Sequence, residues 1–81
     1  MITSCEAKAK IVTSSKLKGM GQLIVAFNVR ETREGKYVFP RQPECDYVSG
    51  HFALADMESE VERLYNRAMQ VLRTDRIVFV G

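Results

Sequence analysis

Cysteine, proline and glycine are scarce in this chain of 81 residues, which holds two, two and five of them respectively. Two cysteines, Cys5 and Cys45, are too few for the disulfide scaffold of a small secreted domain. Little proline and glycine, beside 46% hydrophobic and 27% charged residues, excludes a collagen-like, low-complexity or disordered chain. Long apolar runs are missing as well. The longest, residues 23–27 and 77–80, fall far short of the ~20 residues a membrane helix needs. The first residues, with charges at Glu6, Lys8 and Lys10, lack the apolar core of a secretory signal. The expectation is a single soluble, reduced, cytoplasmic domain over residues 1–81, off the membrane. Its core is thin, because a short chain buries a small share of its surface.

What the chain does have is charge set unevenly along its length. Residues 1–42 hold eight basic side chains and three acidic ones, a balance of +5. Residues 43–81 hold four arginines and seven acids, a balance of −3, and the whole chain carries +2. Such a split implies a dipolar surface. Its basic part suits phosphate or an acidic protein face, and it equally suits plain solubility and the protection of strand edges.

Hydrophobic periodicity divides the chain into elements. Residues 7–13 alternate Ala7, Ala9 and Ile11 with Lys8, Lys10 and Val12, the pattern of a strand. Ser14, Ser15, Gly19 and Gly21 interrupt it with a lysine-rich loop. Residues 22–30 again have period two, with Leu23, Val25, Phe27 and Val29 toward the core, but Ile24 and Ala26 make the opposite face apolar too. Residues 32–36 read as a turn and 36–41 as a third strand, which Pro40 ends or confines to an edge. Residues 42–55 read as a loop. From about Asp56 to Arg73, Met57, Val61, Leu64, Ala68 and Val71 recur at helical spacing, with Asp56 as the N-cap. Residues 76–80 form the last strand.

The sum is an α+β fold of order β-β-β-α-β: a small, mainly antiparallel sheet with one long amphipathic helix packed on one face. Two strands are apolar on both faces, whereas a sheet with one wet face alternates cleanly. Ile24, Ala26, Val78 and Val80 therefore become candidate interface residues, covered by a second copy or by another protein. The alternative is that the long 42–55 loop folds over them.

Few residues here can carry chemistry. Cys45, Asp46 and His51 lie close together, but a zinc site needs four ligands, and no cysteine pair at metal-binding spacing is present. A Cys45–His51 nucleophile pair would need Asp46 or Asp56 to orient the base, together with an oxyanion pocket. No phosphate-binding glycine loop follows a strand, and Asp56, Glu58 and Glu60 guard the helix start against anions. Neither a metal nor a cofactor nor a small-molecule substrate is expected, and an enzyme ranks last. The remaining candidate is a basic surface with aromatics set among the cations. Lys8, Lys10, Lys16, Lys18, Arg30, Lys36 and Arg41 would contact phosphates, and Tyr37 would stack on a base, whereas Phe27 and Phe39 are equally at home in the core.

Residues 35–41, GKYVFPR, resemble the G-x-F-V-x-x-P-S-R stretch of the SpoVG-type septation regulators. The resemblance extends in outline over residues 2–72: Ile2 and Thr3 precede a basic strand, and Asp46 leads to a helix bearing Val61, Tyr65 and Ala68. The proline stands one residue early without its serine, and the segment between strands is too short for the family's extra strand. The resemblance implies a small, dimeric, nucleic-acid-binding protein, and it carries over to Gly35, Val38, Pro40 and Arg41 only. The expected function is a non-catalytic, self-associating module that contacts nucleic-acid backbone. The alternative is a small protein-binding inhibitor or adaptor, of phage or mobile-element type, acting through a strand edge or an apolar sheet face.

Overall fold

The computed structural model describes residues 6–80, so Ile2, Thr3 and Cys5 lie outside the described residues. Strand β1 (Ala7–Thr13) and strand β2 (Met20–Ala26) form an antiparallel pair. Its register sets Ala9 opposite Val25 and Ile11 opposite Leu23 on one face, and Lys8 opposite Ala26 and Lys10 opposite Ile24 on the other. The turn between them is held by Ser14, whose Oγ accepts the Lys16 and Leu17 amides at 3.3 and 2.9 Å. Gly19 closes it at φ +76°, a conformation open to glycine without steric cost.

Strands β3 (Arg30–Glu31) and β4 (Tyr37–Val38) make a separate antiparallel hairpin. Its turn falls over the predicted residues 32–36, with Gly35 at φ +81° and the Thr32 carbonyl accepting the Gly35 amide at 3.0 Å. The predicted third strand is thus cut to two residues and leaves the main sheet. What fills that place comes from the predicted loop. Strands β5 (Tyr47–Val48) and β6 (Phe52–Ala53) both pair antiparallel with β2. Val48 faces Ile24 while Phe52 faces Gly21, so the second strand runs one residue out of step with the first. The two are one strand broken by a β-bulge.

Ser49 repairs the break. Its Oγ accepts the buried Leu23 amide at 2.8 Å and donates to the Gly50 carbonyl at 2.9 Å, while its own amide reaches the Leu23 carbonyl at 2.9 Å. Beyond the bulge, Leu54 lies so close to Gly21 that a Cβ there would sit 2.8 Å from Leu54 Cδ2. Gly21 is thereby required for packing.

Helix α1 (Met57–Leu72) follows a 3-10 turn at Leu54–Asp56. Asp56 flanks the helix as expected, but its carboxylate caps no amide; its carbonyl instead accepts the Ser59 hydroxyl at 3.1 Å. Arg73 ends the helix in the left-handed conformation at φ 54°, its amide bonded to the Met69 carbonyl. At 16 residues and 1.5 Å per residue the helix is about 24 Å long, enough to carry the chain back along the sheet. Strand β7 (Ile77–Phe79) therefore enters parallel to β1. The sheet is mixed, ordered β5-β2-β1-β7 with β6 also on β2: three of its four strand pairs are antiparallel, in keeping with the expectation, and the parallel β1–β7 pair departs from it.

The helix buries Leu64 and Ala68 against Ala7, Ala9, Leu23, Val25, Phe52 and Ile77. Three of the closest-packed residues are alanines, which let the helix approach the sheet. Tyr65 stacks on Phe79 with ring centroids 5.6 Å apart, and its hydroxyl makes a long 3.4 Å bond to the Ile77 carbonyl. Among the described residues, no helix is long and apolar enough to cross a membrane.

Replacing Ser49 with alanine orphans the buried Leu23 amide, which costs about 1–3 kcal/mol. A lower urea midpoint with unchanged slope is the expected reading. Ser59→Ala, at an exposed hydroxyl, is the control and should stay within about 0.5 kcal/mol of the parent.

Candidate nucleic-acid interface

The sheet face away from the helix carries Lys8, Lys10, Gln22, Ile24 and Ala26, and the chain itself covers it. Residues 37–45 run across this face. Lys8 Nζ stands 5.8 Å from the Tyr37 ring centre and Lys10 Nζ 5.0 Å from that of Phe39. Beyond them Gln42 shares a cavity with Thr13 and Gln22. Ile24 and Ala26, expected to await a partner, are 2% and 0% exposed within the single chain. The hairpin and its exit strand supply the cover, and the interface expectation at these two residues is corrected. Val78 is different. It remains 42% exposed on β7, with Val80 half-buried beyond it.

The nominated cations fall into three settings. Lys8 and Lys10 are half-buried, their stems laid along the sheet and their heads against aromatic rings, and Lys8 also pairs with Glu6 at 3.5 Å. A cation on a ring is stabilised by roughly 0.5–1 kcal/mol at a partly exposed site. Tyr37 has one side of its ring turned to Lys8 and is itself half-buried. Arg30 and Lys36 project from the hairpin, both exposed, with Lys36 beside Glu34 at 3.7 Å. Lys16 and Lys18 on the β1–β2 turn, and Arg41 at the far end of the covering segment, are exposed and form no ion pair among the described residues. The acids Asp56, Glu58, Glu60 and Glu62 gather at the start of α1, which the Leu54 amide ties to the Gly19 carbonyl of the β1–β2 turn at 2.9 Å.

Cys45 and His51 do not form a nucleophile pair of the required kind. The Cys45 thiol donates to the Pro40 carbonyl at 3.5 Å, and burial pushes its pKa up from the ordinary value of 9.0. The carboxylates of Asp46 and Glu44 push the same way, against Lys10. A nucleophilic cysteine needs the opposite shift. Asp46, a candidate partner for His51, instead accepts the Phe27 amide at 2.8 Å where β2 ends. His51 is exposed, at the bulge between β5 and β6. No three His, Cys, Asp or Glu side chains converge among the described residues as metal ligands would.

Ser49 and Gln42 escaped the sequence reading. The Ser-Gly pair at residues 49–50 is a bulge signal in outline, but its partner strand is legible only from the pairing. No protein-family model, curated protein or solved structure matches the chain.

In a Cys5→Ser variant, alkylation of Cys45 by iodoacetamide should be slower at pH 7.5 than that of an exposed cysteine peptide. The rate should rise through a midpoint above the ordinary 9.0. A midpoint below it would revive the nucleophile.

Proposed function

We propose that this protein is a non-catalytic module that holds nucleic-acid backbone on its basic side. The observation that carries this reading is a set of exposed cations that no carboxylate neutralises. Lys16, Lys18, Arg30 and Arg41 stand exposed without a carboxylate partner among the described residues. With Lys36 they make a set of five backbone contacts. Lys8, Lys10 and Tyr37 contribute less than their sequence positions promise, because each spends part of its surface on an internal contact. Glu34 beside Lys36 weakens that position only slightly, since an exposed pair is worth little. The resemblance of residues 35–41 to the septation regulators points the same way.

Five contacts on a single strand imply a salt slope of about −3.5 and a loss of affinity of roughly 100-fold between 50 and 200 mM salt. Fluorescence anisotropy with a labelled mixed-sequence oligonucleotide measures it. Affinity independent of salt, or no binding at 50 mM, overturns the reading.

A protein-binding role, with self-association as its simplest form, rests on one separate observation: Val78 and Phe79 on β7 are 42% and 44% exposed. They project to opposite faces of this edge strand, Phe79 beneath Tyr65 and Val78 on the face away from the helix, so Val78 and the strand edge are what such a partner would cover. If this role holds, light scattering finds a salt-tolerant dimer or complex that Val78→Asp abolishes. A monomer at all salt concentrations, indifferent to that substitution, excludes self-association there.

A further inference from the structure

The β1–β2 turn, the end of the covering segment and the β5–β6 bulge meet around a cavity of about 440 Å³, lined by residues 13–16, Gln22, Gln42 and His51. We propose that this cavity seats one phosphate group, an inference that rests on the nucleic-acid reading for the source of that phosphate.

The chemistry of the lining is the first argument. It consists of three hydroxyls, two amides, one ammonium and one imidazole, and none of the ten aspartates and glutamates of the chain is among them. An oxyanion is bound by converging donors, best when one is charged, and is opposed by any neighbouring carboxylate. By contrast, the cavity at the start of α1 is lined by Asp56 and Glu58 and is closed to anions by charge.

The second argument is that bonds fix the walls while leaving donors of their side chains uncommitted. Ser14 Oγ accepts two backbone amides, which uses its lone pairs and leaves its O–H as a donor. Gln22 is tied by its Nε2 to the Ser49 carbonyl at 3.0 Å. The same Ser49 anchors the bulge that brings His51 to the rim. Bulges commonly re-aim a side chain beside a functional site. Gln42 is brought in by the segment that crosses the sheet, so three parts of the chain, the β1–β2 hairpin, this segment and the bulge, converge here. Lys16 is exposed with no ion pair among the described residues, and Lys18 and Arg41 flank the lining stretches in sequence. A backbone phosphate lodged in the cavity would therefore have two further cations near its neighbours.

The test has two arms. In the first, inorganic phosphate is titrated into the protein at constant ionic strength while amide resonances are followed by NMR. Saturable shifts centred on residues 14–16, Gln42 and His51 are expected. Shifts that do not saturate, or that spread equally over Lys36 and Arg30, overturn the seat whatever the oligonucleotide does. In the second arm, the Lys16→Gln, His51→Gln double variant is compared with Lys36→Gln for oligonucleotide affinity. The double variant should lose both the saturable phosphate response and about tenfold in affinity, with a salt slope shallower by about 1 for the lost lysine contact. Lys36→Gln should keep the phosphate response intact. Saturable phosphate binding without oligonucleotide binding leaves the seat standing and removes the nucleic-acid reading. Oligonucleotide binding that the double variant does not weaken removes the seat's role in that binding.

Discussion

Strand β2 is apolar on both faces, and the described residues hold a single α-helix to put against it. Leu23 and Val25 point to the helix while Ile24 and Ala26 point away, and all four are at most 2% exposed. Every other element is arranged around this requirement. Helix α1 takes one face, using alanines at 7, 9 and 68 to come close. The chain between β2 and β5, which the sheet does not need for hydrogen bonding, is laid over the other. The bulge follows too, since the strand must return beside β2 after that detour, and Ser49 satisfies the amide left unpaired where the ladder slips.

The basic side chains of the first half divide between the covering segment and the β1–β2 hairpin. The segment, residues 27–46, holds Arg30, Arg33, Lys36 and Arg41 against Glu31, Glu34, Glu44 and Asp46, while the other four lysines lie on β1 and the β1–β2 turn. Lys8 and Lys10 are drawn into the cover as ring-facing cations, because a long aliphatic stem can lie on apolar surface while its head stays near water. The exposed remainder sits at the β3–β4 hairpin and at the β1–β2 turn.

The strands and helix with clean periodicity were legible in the sequence. Strands β1 and β2, the turn at residues 32–36, helix α1 and strand β7 stand within a few residues of their expected places. The rest was not, for reasons that can be named. Strands β5 and β6 are two residues each and broken by a bulge, so no alternation survives for a pattern to detect. The parallel entry of β7 depends on helix length and on which strand the helix leaves, and both are tertiary. The expected outward role of Ile24 and Ala26 set a partner against the 42–55 loop as the cover and did not consider residues 37–41, since nothing in a linear reading places Tyr37 and Phe39 above Lys8 and Lys10. Of the candidate site, the exposed cations were legible residue by residue. The convergence of Gln42 and His51 on the β1–β2 turn was not, because it joins stretches far apart in sequence.

One contact at the sheet's margin bears on how the molecule behaves in a crowded solution. A sheet open at both sides can in principle grow without limit, each molecule adding its outer strand to the next until a ribbon forms. Here one margin is kinked by the bulge at residues 49–51 and offers no straight template. The other, β7, is three residues long, and the Tyr65 hydroxyl occupies the Ile77 carbonyl while its ring lies over Phe79. A neighbour seeking to extend the sheet would have to displace that tyrosine first. Loss of the hydroxyl alone would thus be felt less in the folding equilibrium than in the tendency of concentrated protein to form fibres.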